Sequence, residues 1–178
     1  ILNYKKNYNI LALPNKNDEG NDTWQKSFKK FAISKNVKII NLKKLYTIKN
    51  LYFFSIEYEN ILKIENFNSG NLFNIHFSLL PKYKGCHTNF YQIYYGEKYS
   101  GVSLHKIDGG IDTGPLISQI SFEVPLNSTA YENYLKLMKY SVIIFKKNLK
   151  KILNNNYNLK KQNSKKGSYF NRESVNYS

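Results

Sequence analysis

The chain reads as an α/β protein with a mostly parallel sheet flanked by helices. Two observations predict this. Short runs of apolar, aromatic and β-branched residues recur along the chain, and segments with apolar residues every three or four positions lie between them. Strand–helix–strand alternation of this kind belongs to crossover units, whose strands run parallel.

The elements follow in order. Residues 8–13 (Tyr-Asn-Ile-Leu-Ala-Leu) form an apolar run stopped by Pro14 and are predicted as the first strand, and 15–22 as a polar loop. Asp22 or Thr23 can cap a helix running to about Lys35, with Trp24, Phe28, Phe31 and Ala32 on one face. The β-branched content of 37–40 predicts a strand, and 51–56 and 72–77 predict two more, buried ones. Residues 87–95 suit a short helix closed by Gly96. Val102, Leu104 and Lys106 alternate with Ser103, His105 and Ile107, a strand leading into the loop 108–114, and 116–124 is again extended. Ser128 then caps a long helix whose stripe is Tyr131, Leu135, Met138, Val142, Phe145, Leu149 and Ile152. One domain is expected over 1–153, with 154–178 a polar C-terminal extension of little regular structure.

Composition narrows the function. At 178 residues, 42% hydrophobic, with 16 Tyr and 11 Phe, the chain can bury a core. Cys86 is the single cysteine, which excludes a disulfide framework and points to a reducing, cytoplasmic compartment. No run reaches the ~18 apolar residues of a membrane span, and residues 1–6 lack the apolar core of a signal peptide. A net charge of +15 raises the question of nucleic acid. Yet 26 of the 27 basic residues are Lys, only Arg172 is Arg, and 25 Asn accompany them. Readers of nucleic acid rely on the bidentate guanidinium, so this is a compositional bias that argues against nucleic acid and leaves room for an anionic small substrate.

Chemistry concentrates in two segments. Asn74 and His76 stand two apart at the carboxyl end of a predicted strand, where α/β sheets bind ligands, and so share a face. Asp112 follows in the glycine-rich 108–114 loop. An amide donor, a titratable imidazole and a carboxylate are sufficient for acyl transfer to an amine: Asn74 can donate to the oxyanion, His76 can donate or exchange a proton, and Asp112 can orient His76 or take the amine proton. Taken singly, the three also suit a strand-end cap, a buried imidazole and a turn. His87 and His105 are read as structural, Cys86 as no nucleophile, and three scattered His with one Cys as no metal site. Lys166, Tyr169, Phe170 and Arg172 could stack a base and clamp a diphosphate, although on sequence alone a solvated tail is the preferred reading.

The segment 74–85 (Asn-Ile-His-Phe-Ser-Leu-Leu-Pro-Lys-Tyr-Lys-Gly), followed by Gly101-Val-Ser-Leu-His-Lys-Ile-Asp-Gly-Gly-Ile-Asp-Thr-Gly-Pro-Leu-Ile117, resembles the folate-dependent formyltransferase family over roughly residues 8 to 150. That family includes glycinamide ribonucleotide, methionyl-tRNA and nucleotide-sugar N-formyltransferases, and its catalytic Asn, His and Asp fall on Asn74, His76 and Asp112. The resemblance implies a Rossmann-like formyltransferase fold and 10-formyltetrahydrofolate as formyl donor, with no metal. It carries Gly110 and Ile111 over as folate-site residues, with Tyr58 and Ile61 lining the slot; Lys82, Tyr169 and Arg172 are expected as contacts to the acceptor.

The wording of 74–81, the Leu-His-Lys-Ile-Asp run and the late Lys-Gly-Ser-Tyr-Phe-Asn-Arg-Glu-Ser look most like the sugar branch. The acceptor there is a nucleotide-linked amino-deoxy sugar, such as a dTDP-4-amino-4,6-dideoxyglucose, for a surface polysaccharide such as lipopolysaccharide O-antigen. A homodimer is compatible with this. The alternatives are a methionyl-tRNA formyltransferase and a non-catalytic basic binding module. The family opens with one more strand and helix than the 8–13 strand here and continues beyond a motif like 166–176, so the sequence is expected to be a piece trimmed at both ends.

Overall fold

The computed structural model describes residues 2–4 and 6–174; residues 175–178 of the expected extension lie outside them. The chain divides into two compact units, one of Ile1–Asn50 with Tyr58–Ser69 and one of Leu51–Glu57 with Gly70–Ser178.

In the first unit, β1 (Leu11–Ala12) pairs in parallel with β2 (Lys38–Ile39), connected through α1 (Phe28–Ser34). A second short helix, α2 (Leu42–Tyr46), is capped by the Asn41 side chain. The first helix begins later than Asp22 or Thr23, because Ser27 supplies the cap: its Oγ accepts from Lys30 N at 2.9 Å. Asp22 instead accepts from Ser27 N and Lys30 Nζ, and Asp18 from Ser27 Oγ, Lys29 N and Gly20 N, which holds the preceding stretch as a loop. Only Ala32 of the expected apolar face is buried; Trp24, Phe28 and Phe31 are exposed.

The second unit carries a four-stranded sheet in the order β3 (Phe53–Ile56), β4 (Leu72–His76), β6 (Tyr99–Lys106), β7 (Leu116–Glu123). β3 and β4 are parallel, whereas β4/β6 and β6/β7 are antiparallel. A loop of nine residues, 107–115, joins β6 to β7, too short for the crossover that a parallel pair needs. A further parallel pair, β5 (Lys84–Gly85) with β8 (Tyr169–Phe170), brings three of the five strand pairings among the described residues to parallel. The α/β class expected from sequence is the class observed. α3 (Thr88–Tyr94) ends at Gly96 in the left-handed region, as expected.

The long helix α4 (Ala130–Leu153) starts on a capping box of Thr129 and Glu132, one residue later than the expected Ser128. It covers the sheet, and Phe73, Ile75, Val102, Leu104, Leu137, Ile144 and Ile152 form the centre of the core. Its buried face is Asn133, Tyr134, Leu137, Ser141, Ile144, Asn148, Leu149 and Ile152, so the expected stripe is out of phase over its first half, where Tyr131, Leu135, Met138 and Val142 are exposed, and in place at its end, where Leu149 and Ile152 are buried and Phe145 packs against the core. Two polar members of the true face are inexpensive to bury because they bond to their own helix, Ser141 Oγ to Met138 O and Asn148 Nδ2 to Ile144 O; Asn133 Nδ2 reaches Asn89 O, but its Oδ1 is buried without a hydrogen-bond partner among the described residues. Residues 154–174, expected as a surface segment with little regular structure, fall in this unit and are tied into it by β8 and by a bridge between Leu116 and Lys160. No helix among the described residues is long and apolar enough to cross a membrane.

Candidate active site

β4 alternates strictly. Phe73 and Ile75 enter the core, and Asn74 and His76 leave on the other face. The 108–114 loop returns Asp112 to the same place. Asn74 Nδ2 donates to Asp112 Oδ1 at 3.1 Å, and His76 Nδ1 lies 3.4 Å from Asp112 Oδ2. The backbone N–H of Gly85 donates to Asp112 Oδ2 at 2.9 Å. The three expected catalytic side chains therefore share one cluster, mostly shielded from solvent.

A fourth side chain completes it. Antiparallel register sets His105 of β6 opposite Asn74. His105 Nδ1 is 2.7 Å from the Lys106 carbonyl, which can only accept, so this nitrogen carries the proton. In the neutral ring Nε2 then offers a lone pair, and Asn74 Nδ2 donates to it at 3.2 Å. Both hydrogens of the Asn74 amide thus have acceptors, His105 and Asp112, and the amide orientation is fixed with nitrogen toward the carboxylate. His105 was read as structural from sequence. The signal that could have found it is the alternation of 102–107, which sets Ser103 and His105 against Val102 and Leu104.

The electrostatics follow from these contacts. His76 Nε2 donates to the Tyr83 carbonyl at 2.6 Å, so its free nitrogen is Nδ1, facing Asp112. Burial lowers the pKa of His76 below its ordinary 6.5 and outweighs the opposing pull of Asp112. The 3.4 Å separation agrees, since a charge-assisted bond would close to about 2.8 Å. For Asp112, burial pushes upward, but the attraction of the His76 ring and the Gly85 N–H outweigh it and hold the carboxyl at about 2. Neutral imidazole beside ionised carboxylate is a pair ready to accept one proton.

The loop depends on two glycines. A Cβ at Gly114 would sit 1.8 Å from the Lys106 carbonyl oxygen, and one at Gly85, itself at φ +88°, 2.1 Å from the Phe170 carbonyl oxygen. Asp112 itself adopts φ +52°. Asp108 braces the turn from within by accepting from Thr113 Oγ1 and Gly110 N.

The remaining expected residues are placed as follows. Gly110 and Ile111 adjoin Asp112 on the exposed rim of the loop. Tyr169 lies in β8, paired with the strand that holds Gly85, and is exposed. The Arg172 carbonyl lies 3.1 Å from His87 Nε2. Lys82 pairs with Glu97 at 3.0 Å on the surface, and Tyr83 OH donates to the same carboxylate at 2.7 Å. Tyr58 and Ile61 belong to the first unit, Tyr58 half-buried and Ile61 exposed. Sequence reasoning did not single out Gln162, whose Nε2 donates to both the Asp112 and Gly114 carbonyls.

The sequence pattern of the formyl transferase family matches residues 58–149. A solved structure of WlaRD, a sugar 3N-formyl transferase in the presence of dTDP and 5-N-formyl-THF, is 50% identical with a TM-score of 0.92, covering 97% of this chain and 65% of that one. The N-formyltransferase from Helicobacter canadensis, in complex with folinic acid and dTDP-3-aminofucose, is 44% identical with a TM-score of 0.93, covering 98% and 66%. The bifunctional polymyxin resistance protein ArnA of Wigglesworthia glossinidia brevipalpis is 40% identical over 111 residues, 62% of this chain and 16% of that protein. The chain thus spans about two thirds of each of these two solved structures and 16% of the ArnA protein.

Proposed function

This chain belongs to the formyl transferase family, and we propose that it moves a formyl group from 10-formyltetrahydrofolate to the primary amine of a dTDP-linked amino sugar. The convergence of Asn74, His76 and Asp112 carries the reaction class. The donor set fits an acyl group rather than a redox step, because it offers one amide donor and one proton-accepting pair. Similarity to proteins solved with dTDP, a formyl-folate or dTDP-3-aminofucose supports the substrates and favours an amine at position 3 over the 4-amino sugar expected from sequence.

The folate supplies a formyl group on a nitrogen that can leave as an amine. Asn74 Nδ2 donates to the carbonyl oxygen as negative charge develops there; a formyl oxygen exchanges one acceptor for another, so little is lost when it displaces Asp112 or His105. The attacking amine forms the new carbon–nitrogen bond, the bond to the folate nitrogen breaks, and one amine proton ends on that nitrogen. His76 Nδ1 and Asp112 hold this proton in passage, and the imidazolium so formed offsets the oxyanion. Gly110 and Ile111 line the donor side, and Lys82, Tyr169 and Arg172 contact the acceptor nucleotide.

A nucleotide-activated sugar is the form consumed by glycosyl transfer, which supports a surface polysaccharide such as lipopolysaccharide O-antigen as destination. A reduced folate and a lone Cys86 support a cytoplasmic setting. The test incubates the chain with 10-formyltetrahydrofolate and dTDP-linked 3-amino or 4-amino sugars and detects the formamide by mass. Formamide from neither sugar overturns the reading. A net charge of +15 favours a second acceptor, methionyl-tRNA; formylation of tRNA with a steep salt dependence would select it.

A further inference from the structure

The turn that presents Asp112 is held from outside by one side chain. Gln162 Nε2 donates to the Asp112 carbonyl at 2.9 Å and to the Gly114 carbonyl at 2.8 Å, so its two hydrogens fasten the two peptides that bracket the Thr113–Gly114 pair. Gln162 is itself anchored, because Leu116 and Lys160 exchange both backbone hydrogen bonds at 2.8 Å two residues upstream. Its amide cannot be reversed: the oxygen would then face two carbonyls, and only the nitrogen can donate. Oε1 is buried without a hydrogen-bond partner in the described protein. The residue is therefore in place for its two N–H groups, not for a fully satisfied network.

What those groups hold bears on the carboxylate. Asp112 sits at φ +52°, in the left-handed region that L side chains rarely take, and a turn in that region persists only when its surroundings impose it. The contacts of Asp108 lie inside the loop and would move with it. Gln162 ties the loop to a segment outside it, and through the Asp112 backbone sets where Oδ1 meets Asn74 and Oδ2 meets Gly85 and His76.

We infer that Gln162 is a positioning residue for Asp112, an assignment that rests on the formyl-transfer reading and adds to it a group that touches no substrate. The test uses Gln162→Glu, which keeps the shape and removes the donors, and Gln162→Met, which removes the donors without adding charge. Two readouts are taken: kcat and KM for formyl transfer, and hydrogen exchange of the Gly85 amide, whose N–H is held by the Asp112 carboxylate. Either variant should lower kcat by about ten- to hundredfold with KM within about threefold, since misplacing a reacting group by an ångström is felt at that scale. Gly85 exchange should quicken while amides in α4 keep their protection. Wild-type protection at Gly85 in both variants overturns the inference, as does loss of protection across α4 together with Gly85, which would make Gln162 a general structural prop. A wild-type chain without formyl transfer overturns the functional reading instead, and the Gly85 readout still decides the role of Gln162.

Discussion

Asn74 and His105 are cross-strand partners in the β4/β6 pairing, and the imidazole accepts one amide hydrogen while Asp112 accepts the other. The amide therefore cannot rotate without losing two bonds. If Asn74 is the oxyanion donor proposed above, loss of His105 should cost rate rather than affinity. His105→Leu is expected to lower kcat about tenfold with KM nearly unchanged, the effect of loosening an oriented donor. Steady-state kinetics decide this, and a selective rise in KM would refute it.

Removing the donor itself should cost more. Asn74→Ala is expected to reduce kcat about 10²–10³-fold, as loss of an oxyanion donor does. Asn74→Asp should be no better, because it sets a second carboxylate against Asp112 at the position of a 3.1 Å hydrogen bond. Recovery of turnover in Asn74→Asp would show that the amide N–H is not what the reaction uses.

Acid should act in two stages. The folded pKa of His76 lies below its ordinary 6.5, because burial disfavours the charged ring; its contribution to stability is complete above 6.5 and is lost as pH falls toward the lowered value. Asp112 is depressed from 3.8 to about 2, so its contribution is complete above 3.8 and vanishes as pH falls through about 2. Tm followed against pH should decline in both windows, and Asp112→Asn should shrink the lower one without removing it, because Asp18, Asp22, Glu97 and Glu132 are also held below their ordinary values by their hydrogen bonds. The acid limb of kcat/KM should lie below 6.5, set by His76 as faced by Asp112 and His105. A limb above 6.5 would contradict a neutral His76 in the free protein.

Three glycines should respond differently to one methyl group. Gly114→Ala and Gly85→Ala force a carbon onto the carbonyls of Lys106 and Phe170, and each should abolish activity and destabilise by about 2 kcal/mol or more. A Cβ at Gly109 meets nothing within 4 Å, so Gly109→Ala should stay within about 0.5 kcal/mol of the parent. Denaturant melts of the three variants give the ranking.

The phase of α4 is open to the same kind of check. Leu137 is fully buried, and Leu137→Ala should cost about 2–5 kcal/mol, whereas the exposed Leu135→Ala should cost about 0.5 kcal/mol or less. Equal losses would restore the stripe expected from sequence.

These contrasts mark where sequence reasoning stops. Asn74 and His76 could be placed on one face because a strand's period of two is local. Asp112 could be joined to them by chemistry and resemblance. His105 could not, because its place depends on the register between two strands separated by α3. Gln162 was hidden in a run rich in Asn and Lys that looked solvated, since a polar side chain bonding two carbonyls has no hydrophobic signature. The α4 stripe was misread for a related reason: Ser141 and Asn148 satisfy themselves on their own helix and so can be buried where a periodicity rule expects apolar residues. At α1 the expected caps, Asp22 and Thr23, stand too early: Ser27 accepts from Lys30 N, Asp18 from Lys29 N, and Asp22 is taken up by Ser27 N.

The parallel pair β5/β8 joins residues 84–85 to 169–170, and Gly85 in turn grips the carboxylate of Asp112. Pairings so distant along the chain close late, after local helices and hairpins have formed. On the ribosome the order is stricter, because β5 has no partner until Phe170 has emerged from the exit tunnel. A nascent polypeptide stalled earlier would carry Asn74, His76 and Asp112 in full and yet lack the strand that locks Gly85, so the surroundings of the Asp112 carboxylate are completed only once residues 169–170 have been made.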